Sequence, residues 1–335
     1  MYTFQSVSLD ITYKCNLRCK HCFNSSGEFL GGELNDSQIL KIIDEISKYQ
    51  VESICLCGGE PFYRFDLLLS VAKLIKKNSP KTFISMVSNG ILWTNKKAKE
   101  LSEAGLDVVQ FSLDGFTNES YDFVRQSHGK LSKVFDAIKY AQDAGLDVML
   151  SSLPHKKNFN QIQSMIEFCI ANNIVEFRMQ PLMPLGRGDL NFNELCLSDS
   201  EYQQVQSILK TNTGRMTYSG QELKIEWGDP MDHFFMLQEV PYISSLNISA
   251  YGDITISPYL PFSIWNLSKS TFASFIENQI PERALLNSRV IQTINEMMTV
   301  NDLAVMSHRM NKIENISNRE ALDISKEIIC EERVG

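Results

Sequence analysis

Apolar positions in the first 180 residues follow two alternating periods. In Val7-Ser8-Leu9-Asp10-Ile11-Thr12 every second side chain is apolar, the pattern of a strand with one buried face. Ile39, Ile42, Ile43 and Ile46 then recur at helical spacing, with Asn35 or Asp36 placed to cap the helix. Further strands are expected at Ser53 to Cys57, Thr82 to Val87, Val108 to Leu113, Val148 to Leu153 and Val175 to Met179. Helices are expected between them, at about 64–78, 94–104, 130–144 and 158–172. Six strands alternating with helices predict parallel βα units joined by right-handed crossovers. A short repeat supports this. Glu103-Ala104-Gly105-Leu106-Asp107-Val108 returns as Asp143-Ala144-Gly145-Leu146-Asp147-Val148, each glycine suited to ending a helix before the next strand begins.

After Gln180 the rhythm changes. Pro181, Pro184, Gly186 and Gly188 mark a loop. A helix is expected over 198–210, a short strand over 222–227, and a hairpin from Leu246 to Ile256 that turns at Gly252-Asp253. The last fifty residues read as helices with no catalytic signature. The chain accordingly divides into residues 1–190 and a smaller α+β unit, 191–335.

Composition fits that plan and narrows the chemistry. With 335 residues, 43% hydrophobic and 21% charged, the chain can bury the core of a barrel of about 200 residues and carry an extension. A formal net charge of −8 argues against a non-specific grip on nucleic acid. The N-terminus lacks the pattern of a signal peptide, and no apolar run approaches the ~18 residues of a membrane span. A cytoplasmic protein that engages neither nucleic acid nor membrane is therefore expected. The first strand begins at about residue 6, so no peptide-recognition domain is expected ahead of it. Disulfides are rare in a reducing compartment, which directs the eight cysteines toward metal binding or catalysis.

Three of them form Cys15-Asn16-Leu17-Arg18-Cys19-Lys20-His21-Cys22, a C-x3-C-x2-C run. A residue spans at most ~3.6 Å, so all three thiolates can reach one compact centre. Thiolates favour zinc, Cu(I) or iron–sulfur clusters. Structural zinc and ferredoxin clusters both want four protein ligands, and no fourth lies nearby. On a 4Fe–4S cluster, three cysteines leave one iron open.

The spacing, the strand before it, and His21 ahead of the last cysteine resemble the radical S-adenosylmethionine superfamily. So does Cys57-Gly58-Gly59-Glu60-Pro61, directly after the second strand. The resemblance implies a partial (β/α)6 TIM-like barrel over about residues 6–190, carrying one 4Fe–4S cluster on Cys15, Cys19 and Cys22. It assigns Gly58, Gly59, Glu60 and Pro61 to the amino group of S-adenosylmethionine, and Ser88 and Asn89 to its ribose. Arg125 resembles the residue that pairs with the methionine carboxylate. Ser112 and Asp114 end the fourth strand, and Gln180, ending the sixth, is expected to face adenine or substrate. In the family, an electron from the cluster cleaves S-adenosylmethionine, and the resulting 5′-deoxyadenosyl radical takes a hydrogen from substrate. Cys55 and Cys57 share one strand face, and Cys57 is the candidate catalytic thiol on the substrate side. Cys169, at helical spacing with Ile162, Met165 and Ile166, reads as core, Cys196 as a loop thiol and Cys330 as a tail thiol.

The hairpin around Gly252, followed by Trp265-Asn266-Leu267, resembles SPASM-type extensions of enzymes that mature ribosomally made peptides. There a cysteine near the position of Ser257 ligates an auxiliary cluster; here no cysteine lies between Cys196 and Cys330. The resemblance implies a peptide substrate that is crosslinked or epimerised. The implied partners are a separate leader-recognition protein and a reductase, flavodoxin or ferredoxin as electron donor. Two alternatives stay open: a radical enzyme acting on a sugar, amino acid or tetrapyrrole, and a non-catalytic iron–sulfur redox sensor.

Overall fold

The computed structural model describes residues 2–313 and 321–330. The six expected strands form as β1 (Thr3–Asp10), β2 (Gln50–Cys57), β3 (Phe83–Ser88), β4 (Val108–Ser112), β5 (Asp147–Ser152) and β6 (Glu176–Met179). They pair in chain order, all parallel, and each parallel neighbour is reached through a crossover. The expected helices supply those crossovers: α1 (Asp36–Ile46), α2 (Phe65–Asn78), α3 (Asn95–Ala104), α5 (Leu131–Asp143) and α6 (Ile162–Ala171). Asn35 caps α1 reciprocally with Gln38. One further helix, α4 (Asn118–Arg125), is too short for its period to stand out, although Thr117 and Ser120 form a capping box at its start. The repeat falls on the α3–β4 and α5–β5 joints, and both of its glycines have positive φ.

Strand alternation sorts the side chains. Val7, Leu9 and Ile11 are wholly buried in the core, while Ser8 and Asp10 on the other face line a cavity inside the curved sheet. The same split separates Ile54 and Leu56 from Cys57, and Val109 and Phe111 from Gln110 and Ser112. Aliphatic side chains pack outward on the helices, and small or polar ones face the lumen.

Most of the strands beyond residue 190 join the barrel's own sheet. β7 (Lys224–Trp227) pairs in parallel with β6, and β8 (Ser245–Ile248) pairs in parallel with β1. Eight parallel strands thus run in a row, and β8 turns back as antiparallel β9 (Asp253–Thr255), the expected hairpin. The physical reason is the edge. A six-stranded partial barrel leaves β1 and β6 with unpaired backbone groups, and β8 and β7 cover them. One hydrophobic core runs through both parts of the chain, from Phe4 to Ile328. The expected late helices include Asp199–Thr211, Ser288–Glu296 and Val300–Ile313. A short strand, Leu322–Asp323, interrupts them by pairing with Phe262–Ser263. No described helix is long and apolar enough to cross a membrane.

Candidate functional site

The loop from residue 11 to 35 leaves the carboxyl end of β1 and carries all three clustered cysteines. Its base is closed by backbone bonds, Cys15 N to Gly27 O at 2.8 Å and Gly27 N to Tyr13 O at 2.9 Å. Glu33 secures it further, accepting from Thr12 Oγ1 at 2.7 Å and Tyr13 N at 2.9 Å. Cys15, Cys19 and Cys22 all border one cavity of about 460 Å³. Burial pushes the Cys15 thiol up to about 12, and raises that of Cys19 against the opposing charge of Arg125. Binding a metal as thiolates would release those protons. Among the described residues, no three His, Cys, Asp or Glu side chains are placed to hold a single metal ion.

The turn after β2 is built against this loop. Gly59 N donates to Thr12 O at 2.7 Å and Glu60 N to Lys14 O at 2.9 Å. A Cβ on Gly58, which has φ +130°, would sit 2.3 Å from Thr12 O, and one on Gly59 2.5 Å from Lys14 O. Both glycines are therefore demanded by the close approach of two backbones, and both line the cavity. Glu60 and Pro61 do not. The Glu60 carboxylate is wholly buried behind the turn and accepts from Ser88 Oγ and Asn89 N, each at 2.9 Å. Burial raises its pKa to about 7 against those hydrogen bonds. Pro61 begins a buried single turn, Pro61–Arg64. Glu60 thus fixes the end of β3 to the end of β2, and Ser88 and Asn89 reach the cavity wall. Asn89 Nδ2 also donates to Asn16 Oδ1 at 2.8 Å, inside the cysteine run.

Arg125, at the end of α4, has a side chain that is 11% exposed and lines the cavity. Its Nε pairs with Asp114 and its Nη1 lies 3.7 Å from Cys19 Sγ. Asp114 stands behind it, 1% exposed, and accepts from Leu153 N at 2.6 Å. Burial alone would raise the Asp114 carboxyl, but the charge of Arg125, helped by the hydrogen bond from Leu153 N, outweighs it and holds the group below its ordinary range. His21 is driven down to about 3, by burial first and then by Arg125, so its ring is neutral; its Nδ1 is buried without a partner. Ser112 and Gln180 line the same cavity.

Cys57 lines the lumen side, its Sγ 3.1 Å from Cys55 Sγ and accepting from Ser8 Oγ at 3.6 Å. The neighbouring thiol and burial hold it well above the ordinary thiol range, so it is protonated. Cys169 is wholly buried in the core, as its helical spacing implies. Two groups of lining residues escape motif reasoning. Asp10, carried up to about 7 by burial, lines the cavity together with Asn247, Ser249, Asp253 and Thr255 of the hairpin. Arg187 is the second; it lies in what reads from sequence as a mere connecting loop. For Asp10 the signal was present in the alternation of β1. For the hairpin there was none, because its place beside β1 depends on pairing across some 240 residues.

These residues suit the pair of groups the resemblance implies. Three thiols share one cavity with an arginine, a glycine-lined turn that a Cβ would fill, and an unpartnered buried nitrogen on His21. The chain is similar to the sporulation killing factor maturation protein SkfB of Bacillus subtilis, 27% identical over 229 residues, covering 68% of this chain and 51% of that protein. It is also similar to a probable GTP 3′,8-cyclase of Methanocella arvoryzae, 30% identical over 165 residues, covering 49% of this chain and 52% of that one. The chain therefore spans about half the length of these curated relatives. In fold it matches SuiB of Streptococcus suis in its S-adenosylmethionine-bound crystal structure, with a TM-score of 0.68 at 15% identity over 98% of this chain and 78% of that one. Radical SAM proteins use a 4Fe–4S cluster and S-adenosylmethionine. Residues 9–169 match the family model described as Radical SAM superfamily, and this chain carries a radical SAM domain.

Proposed function

We propose that the chain is an enzyme in which Cys15, Cys19 and Cys22 hold the 4Fe–4S cluster, and that its substrate is a peptide. The observation that carries this reading is the single cavity. It joins the three thiols to Gly58, Gly59, Ser88, Asn89 and Arg125 on one side, and to the β8–β9 hairpin on the other. When bound, the cluster and S-adenosylmethionine supply one-electron cleavage of a sulfonium and a carbon radical that abstracts hydrogen.

The protein's own residues do the positioning. Arg125 offers a fixed guanidinium to the methionine carboxylate, and Asp114 sets its direction. Gly58 and Gly59 bring backbone to the ligand, and Glu60 holds Ser88 and Asn89 in place from behind. The protonated Cys57 thiol, on the lumen wall, is the candidate hydrogen source for a substrate radical. Among the relatives, the sporulation killing factor maturation protein favours a substrate that is matured, read here as a ribosomally made peptide that is crosslinked or epimerised. A flavodoxin or ferredoxin as electron donor, a separate leader-recognition protein and a cytoplasmic site of action belong to the same reading.

The test uses anaerobically reconstituted protein with dithionite and S-adenosylmethionine. Formation of 5′-deoxyadenosine is expected; none from protein with an intact cluster would overturn the enzymatic reading and favour a redox sensor. A short peptide encoded beside the gene should then lose two hydrogens, or gain one deuterium per epimerised residue in heavy water. Turnover of GTP with the peptide untouched would instead select the small-molecule reading, which the cyclase relative favours.

A further inference from the structure

We propose that Arg187 is a positioning residue that clamps the cysteine loop and sets the reduction potential of the cluster. The proposal rests on the reading that Cys15, Cys19 and Cys22 hold that cluster. The loop between β1 and α1 has no helix or strand of its own; beyond its base, its own backbone bonds include two long turn contacts, Cys22 N to Cys19 O and Ser25 N to Cys22 O, each at 3.3 Å. Its far side is closed by residues that follow β6. Arg187 Nε donates to Cys19 O at 2.8 Å and Nη2 to Ser26 O at 2.9 Å. The Arg187 backbone N donates to Cys22 O at 2.9 Å. One residue therefore holds three carbonyls of the loop, two of them on proposed ligands.

The neighbours of Arg187 are shaped for that contact. Gly186 has φ +55°, and a Cβ there would sit 2.2 Å from Phe23 O. A Cβ on Gly188 would meet Met183 O at 2.4 Å and His21 O at 3.2 Å. Asn191 Nδ2 donates to Lys20 O at 3.2 Å. The short helix α7 (Arg187–Leu190) is thus seated flat on the cysteine run.

Two consequences follow. Fixing the loop before the cluster arrives removes chain entropy that ligation would otherwise have to overcome. A positive charge on the wall of the same cavity also favours the reduced, more negative cluster, because net charge and hydrogen bonding around the thiolates set the potential.

The experiment compares the full-length reconstituted protein with Arg187→Gln and Arg187→Lys. Iron loss to a chelator is followed by absorbance, and the midpoint potential by electron paramagnetic resonance during a redox titration. Arg187→Gln should lose iron at least about tenfold faster, the scale on which outer-shell partners act, and titrate at a more negative potential. Arg187→Lys keeps the charge but cannot span two carbonyls. Its potential should stay near the parent value while iron loss accelerates. Should Arg187→Gln fail to fold by circular dichroism, the iron-loss rate of Arg187→Lys decides. Parent-like iron loss in Arg187→Lys, or a parent-like potential in folded Arg187→Gln, overturns the proposal. Failure of the parent itself to hold about four irons, or iron surviving replacement of all three cysteines, would defeat the underlying reading instead.

Discussion

Replacing Arg125 by alanine is expected to unsettle the fold as well as the ligand site. The Arg125 and Asp114 side chains are only 11% and 1% exposed, so their pairing is a buried ion pair whose two halves depend on one another. Without the guanidinium, Asp114 keeps the Leu153 amide at 2.6 Å and a neutral His21 whose Nε2 lies 3.8 Å away. Neither neutralises a buried carboxylate. Removing one partner of such a pair costs about 3–5 kcal/mol, a large share of the ~5–15 kcal/mol that holds a typical domain together. Asp114→Asn should cost a similar amount, since it strands the arginine. The double variant Asp114→Asn with Arg125→Met leaves no unpaired charge, and its cost should fall short of the sum by about 2–3 kcal/mol. Urea unfolding of the metal-free protein, read by far-ultraviolet circular dichroism, measures all three. Additivity within about 0.5 kcal/mol would refute the argument that the pair is energetically a unit. The titration of S-adenosylmethionine is then cleaner with Arg125→Lys, for which loss of the charge-assisted fork should weaken binding by about 1.5–3 kcal/mol.

Gly59→Ala places a methyl 2.5 Å from Lys14 O without any positive φ to relieve. The backbone must move, so a loss of about 1–3 kcal/mol in urea and slower cluster uptake are expected; unchanged values for both would show that the two backbones are not in close contact. Cys15, Cys19 and Cys22 are expected to account for one cluster, so about four irons per chain should analyse in the parent and background iron in the triple alanine variant, with about eight in the parent speaking against this count. Glu60, raised to about 7 from an ordinary 4.5, holds its proton more tightly folded than unfolded. Its contribution to stability is thus complete below about pH 4.5 and is lost as pH rises through 7, by at most about 3.5 kcal/mol at roughly 1.4 kcal/mol per unit. Glu60→Gln should flatten the fall of the urea midpoint between pH 5 and 7, and parallel profiles for parent and variant would exclude Glu60 as its source.

The barrel was legible because its signals are local. The strands from β1 to β6 are short apolar runs of four to eight residues, and each crossover helix has its own apolar stripe, so period and turn chemistry placed all six units. The cysteine run and the Gly-Gly turn were legible for the same reason: both are short, contiguous, and chemically unusual. What escaped was set by distance along the chain. Nothing within Ser245–Ile248 indicates that it will lie beside Ser6–Leu9, and nothing within Lys224–Trp227 indicates β6. The division expected near residue 190 follows a true change of rhythm, yet the unpaired edges of the barrel draw the later strands into its own sheet.

Asp114 and Glu60 show a second limit, one of depth rather than distance. Both stand in segments whose neighbours line the cavity, and from the sequence both look like groups that touch a ligand. Both instead lie behind the wall, each gripping a residue that does line it: Asp114 holds Arg125, and Glu60 holds Ser88 and the Asn89 backbone. A motif records that a residue is needed near a site without recording the layer in which it works. Arg187 is the complementary case, since a guanidinium that binds only backbone carbonyls puts no constraint on the side chains it serves. Its partners at 19, 22 and 26 leave no pattern in sequence, and only the geometry joins the end of β6 to the loop after β1.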